Sequence, residues 1–123
     1  MRAKTVNRGK HSGHEMVFRN KLGHLAKQFR SRSQLARFLD VDRSRISRWL
    51  GSETPDTENR IKVEAMEFAL SRLSTFLSPE TAMKWLMGIN AHLGDRRPID
   101  LVRQGRVAEV IAAIEQFETG SYS

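Results

Sequence analysis

Arg43, Ser44, Arg45, Ser47 and Arg48 crowd around two apolar residues, Ile46 and Trp49. Three positions apart on a helix, Ile46 and Trp49 share a face, and burying that face turns Arg43, Ser44, Ser47 and Arg48 outward. An outward arginine offers a planar fork of donors that matches O6 and N7 of guanine, and a serine hydroxyl donates or accepts at several base edges. Arg32, Gln34 and Arg45, with the backbone amides that open the preceding helix, suit phosphate oxygens, which fix register without reading sequence. The chemistry on offer is base reading by a helix laid in a major groove. The plainer alternative is a pair of crossed helices with a solvated basic face.

Short elements must position these groups. Ser31 followed by Gln34 matches a capping box, so a helix starts there and carries Leu35, Ala36, Phe38 and Leu39 inward. Asp40-Val41-Asp42 interrupts it, and Asp42 suits the N-cap of a further helix, 43–50, closed by Gly51. Leu35 with Ala36, Leu39 with Val41, and Ile46 with Trp49 are spaced as two helices crossing at a tight turn require, Ala36 permitting the close approach. The segment resembles the helix-turn-helix of Xre-like repressors, on the strength of Gln34-Leu35-Ala36, Val41 and Ile46-Ser47-x-Trp49. Asp40 stands where that family's turn usually has glycine. Aspartate is among the few residues that tolerate a left-handed backbone, so the turn survives with some strain.

Charge divides the chain unevenly. Residues 1–60 hold 14 Lys and Arg against 6 Asp and Glu, whereas 61–123 hold 7 against 8. Solubility charge would be spread evenly; a basic half joined to a neutral one suggests a polyanion-binding module fused to another. Residues 1–14, with Arg2, Lys4, Arg8 and Lys10 and no apolar periodicity, read as a flexible basic arm that adds phosphate contacts, enters a minor groove or stays solvated. Phe18, Leu22, Leu25, Ala26 and Phe29 then form one stripe of a helix from Glu15 to Phe29. The helix-turn-helix module spans 15–56, and 57–123 reads as a second helical module suited to dimerisation.

In that second module a long helix from Thr57 to Leu77 presents Ile61, Ala65, Met66, Phe68, Ala69, Leu70, Leu73, Phe76 and Leu77 as a broad apolar face. Ser78-Pro79 caps the next helix, Pro98 to Gln104 is a short one, and the last runs from Arg106 to Glu118 with Gly120 just beyond. Trp85, Ile89, Leu93 and Ile99 exceed what narrow inward stripes need and leave apolar surface for a partner. The run Trp85-Leu86, Asn90, Leu93-Gly94, Arg97-Pro98-Ile99-Asp100-Leu101-Val102, Gly105, Val107, Val110, Ile114 and Gly120 is similar to the toxin-binding domain of Xre/MbcA/ParS-type antitoxins, which pair with RES-domain toxins. Asp95 departs from that pattern, which commonly has a second glycine there. With the helix-turn-helix ahead of it, the resemblance spans roughly residues 15 to 120.

The resemblance implies an all-α antitoxin that blocks an NAD-consuming RES-type toxin. Its C-terminal end, Glu118, Thr119, Gly120, Ser121, Tyr122 and Ser123, reaches for the toxin's pocket, supported by Trp85 and Arg97. It also implies autorepression, with a homodimer on an inverted-repeat operator. A stand-alone repressor whose second half dimerises or senses a small molecule is the other reading.

Enzyme chemistry finds no template. There are no cysteines for thiolate ligands or nucleophiles, no glycine-rich phosphate loop and no nucleophile beside a base. His11 and His14 lack further ligands, so no metal and no cofactor are expected. No apolar run is long enough for a membrane span, and the cytoplasm is the expected compartment.

Overall fold

A computed structural model describes the backbone of residues 2–120 and the side chains of residues 15–120. The described residues are all-α: α1 (Arg2–Ala26), α2 (Arg32–Leu39), α3 (Arg43–Gly51), α4 (Thr57–Leu73), α5 (Pro79–Met87), a 3-10 turn (Ala91–Leu93), α6 (Pro98–Arg103) and α7 (Val107–Glu118). The nearest thing to a strand among them is an isolated bridge between Asn90 and Arg96.

Several boundaries follow from local chemistry. Ser31 accepts a hydrogen bond from the Gln34 amide (3.1 Å), and the Gln34 side chain reaches back to the Arg30 amide (2.7 Å), closing the capping box one residue early. Asp42 stands at the N-cap of α3 without a side-chain cap bond, whereas Asp56 caps α4 through the Asn59 amide. α2 ends at Asp40, whose φ of 58° and ψ of 50° are left-handed. Its amide bonds to the Arg37 carbonyl and the Val41 amide to the Ala36 carbonyl, the two bonds of a Schellman turn. The strained turn expected at Asp40 is therefore present. Asp95 tolerates the same region (φ 62°) directly after Gly94 (φ 66°).

Two helices differ from the sequence reading. The first runs back to Arg2 through the segment read as an arm, and it stops at Ala26, after which Gln28 and Phe29 turn tightly onto the Leu25 and Ala26 carbonyls. Residues 2–14 carry no apolar stripe in the sequence, so periodicity does not reveal that extension. α4 stops at Leu73 rather than Leu77 because the Thr75 hydroxyl takes the Arg72 carbonyl (2.7 Å) and Ser78 must be extended ahead of Pro79.

α4 is the hub, in contact with α1, α2, α6 and α7. One core joins Leu22 of α1, Leu35 of α2, Ile46 and Trp49 of α3, Met66 and Leu70 of α4, Leu86 of α5, Ile99 and Val102 of α6, and Ile114 of α7. Ile61 and Phe68, expected on the inward face of α4, are exposed instead. A second tie crosses the chain: the Arg103 guanidinium donates to the Phe38 and Arg37 carbonyls, both at 2.8 Å, closing the C-terminal end of α2 from α6.

Gly105 (φ 76°) reverses the chain between α6 and α7 where a Cβ would sit 2.8 Å from Ile61 Cγ2. Gly105→Ala meets both left-handed strain and overpacking, and should lower stability by about 1–3 kcal/mol. Urea unfolding monitored by circular dichroism checks this; an unchanged midpoint would show that the α6–α7 corner yields freely.

Candidate functional site

Ile46 and Trp49 are 0% and 1% exposed, and they are the residues of α3 that enter the core. Trp49 meets Phe18 of α1 edge to face, with ring centroids 6.3 Å apart. This anchoring fixes the roll of α3, and the consequence on its far side is direct: Arg43, Ser44, Arg45, Ser47 and Arg48 are all exposed. Arg32, at the start of α2, donates from Nη1 to Ser47 Oγ (3.0 Å), which brings the openings of both helices onto one basic face. Arg45 lines a polar recess with Asp40, Val41, Asp42 and Asn59. Gln34 is half-buried and spends its side-chain oxygen on the Arg30 amide, so its amide nitrogen is what remains for a phosphate.

Glu53 is the residue on this face that the sequence reading missed. Its carboxylate lies 3.1 Å from Arg48 Nε. The available signal was a carboxylate just past the end of a helix whose last turn carries an arginine.

The second group of expected site residues is brought together only in part. Phe76, Trp85 and Phe117 make an aromatic cluster. Trp85 stacks on Phe117 at 6.2 Å and Phe76 lies 5.8 Å from it. Glu118, Thr119 and Gly120 follow this cluster directly, so Trp85 and the start of the expected tail share one end of the molecule. Glu118 pairs with Arg72 of α4 (3.1 Å) and Gly120 takes a left-handed turn. Ser121, Tyr122 and Ser123 lie outside the described residues.

Arg97 is half-buried and already engaged, donating to Asp100 through Nε (3.1 Å) and Nη2 (2.9 Å). That bidentate contact holds the Asp100 carboxyl below the ordinary carboxylate range, with Arg103 adding attraction, and raises Arg97 in turn. The pair is fully formed above the ordinary carboxylate range and fades as pH falls through the depressed value. Of the apolar residues set aside for a partner, Leu93 and Ile99 are core, because α6 and the 3-10 turn fold back onto α4, α5 and α7. Ile89 is 74% exposed and Met87, two residues after Trp85, is also exposed.

Among the described residues no three His, Asp or Glu come close enough to hold a metal ion, and no helix is long and apolar enough to cross a membrane. What fold and surface define is a small all-α protein with one basic helix face and, at the end of α7, a half-buried aromatic cluster. The chain is similar to the mycobacterial cidal antitoxin MbcA of Mycobacterium bovis and of two strains of Mycobacterium tuberculosis. In each case 27% of residues are identical over 85 positions, covering 68% of this chain and 75% of the relative. No protein-family model matches the chain, and no solved structure does.

Proposed function

We propose that this protein is an antitoxin of a toxin-antitoxin pair, with a RES-type, NAD-consuming toxin as partner. The similarity to MbcA is the observation that carries the antitoxin reading. In this reading the end of α7, with Trp85 and the tail from Glu118 to Ser123, meets the toxin. The chain also acts as an autorepressor, a homodimer that sets two copies of α3 about 34–36 Å apart on an inverted repeat. Burial of Ile46 and Trp49 supports this part, because it aims Arg43, Ser44, Ser47 and Arg48 away from the protein's own body.

Copurification of the chain with the untagged product of the adjacent reading frame tests the antitoxin role, and failure of the two to associate would overturn it. Titration against the duplex upstream of its own reading frame, and against a scrambled duplex of equal composition, tests the second role. Arg48→Ala should cost about 1–3 kcal/mol on the former and relax preference at one base pair, whereas changes at Arg2 or Lys4 weaken both duplexes alike. Equal losses on both duplexes for Arg48→Ala would remove base reading.

A further inference from the structure

Among the described residues Arg48 is the outward arginine of α3 with a charged partner, and that partner sits on a fastened strap. The Ser52 and Glu53 amides both donate to the Arg48 carbonyl, at 3.1 and 3.0 Å. The Ser52 carbonyl accepts from Arg19 of α1 (3.3 Å), the Thr54 hydroxyl donates to Glu15 (2.6 Å), and Pro55 is buried. Glu53 is therefore held between pinned neighbours, its carboxylate 3.1 Å from Arg48 Nε, although both side chains are about half exposed (51% and 46%). An ordinary surface ion pair contributes little because two long side chains must be immobilised. Here the backbone on one side is already fixed, which removes part of that cost.

The point of attachment matters. A guanidinium held at Nε keeps its terminal Nη1 and Nη2 fork for a planar acceptor pair such as guanine O6 and N7. A phosphate lying off that line would be reached only if the side chain left the carboxylate. We propose that Glu53 is a specificity-determining residue of the DNA interface: it restrains Arg48 so that its charge serves a base edge and not the phosphate backbone. The inference rests on the DNA-binding reading above.

The test uses the full chain, the duplex upstream of its own reading frame and a scrambled duplex, titrated over a range of salt. Glu53→Gln should tighten binding to the scrambled duplex about fivefold, the scale of a lost surface ion pair. Its salt slope there should steepen by about 0.9, the signature of one added phosphate contact. Binding to the upstream duplex should change less than about twofold, so discrimination falls. In an Arg48→Ala background Glu53→Gln should do nothing, which separates restraint of Arg48 from simple removal of a negative charge. Equal tightening on both duplexes, or the same change without Arg48, overturns the inference and leaves the DNA-binding reading standing. Wild-type protein that binds neither duplex at low salt overturns both.

Discussion

Trp49→Ala is expected to lower folding stability by about 3–5 kcal/mol, the range for removing a large aromatic from a packed interior. The ring is 1% exposed, stands edge to face against Phe18, and has Arg60 stacked on the other member of that pair, 5.8 Å from the Phe18 ring centre. On α3 only Ile46 is fully buried besides it, with Leu50 half-buried at the end of the helix, so the remaining side chains replace little of the ring's contact. Domains of this size hold about 5–15 kcal/mol in all, so the loss takes a large share of the total and the urea midpoint should fall steeply. Urea unfolding followed by the fluorescence of Trp85 gives the measurement. A loss under about 1 kcal/mol would show that α3 is held by something other than its ring. Duplex binding should vanish with the fold, and it should return on cooling only as far as the native signal does.

Deleting residues 119–123 is expected to abolish neutralisation of the toxin while leaving duplex binding unchanged. The cut spares Glu118 and so preserves its 3.1 Å pairing with Arg72; it also leaves the Phe76, Trp85 and Phe117 cluster intact. Because the cut also removes the Thr119 cap of α7, an unchanged circular dichroism spectrum of the shortened chain is what assigns the loss of function to the missing tail. Co-expression with the toxin and measurement of growth decides the matter. Full growth rescue by the shortened chain would mean that the contact surface lies elsewhere, with exposed Met87 and Ile89 the next place to look.

Local rules carried the reading of the basic face a long way. Residues three apart on α3 report its buried side, Ser31 and Gln34 report a helix start, and Asp40 takes the left-handed turn that the helix pair demanded. Contacts between distant segments were illegible. Arg32 on Ser47, Glu53 on Arg48 and Arg103 on the end of α2 depend on how helices are placed, and no periodicity encodes that. The same blindness explains the apolar surplus around the second half. Leu93 and Ile99 look like Ile89 in composition, yet the fold buries the first two and leaves the last in solvent. The N-terminal extension of α1 escaped for the opposite reason, since a helix without an apolar stripe leaves no mark in the pattern of residues.

The reach of Arg103 across to the Arg37 and Phe38 carbonyls bears on how the molecule can be dissected. The corner from which α3 springs is closed by a side chain that arrives more than sixty residues later in the chain. A fragment ending at residue 56 keeps every outward arginine but loses the lid on α2 and bares the apolar flank of Leu35 and Leu39, which the later helices help to cover. The halves, distinct in charge and in proposed partner, are therefore one mechanical unit.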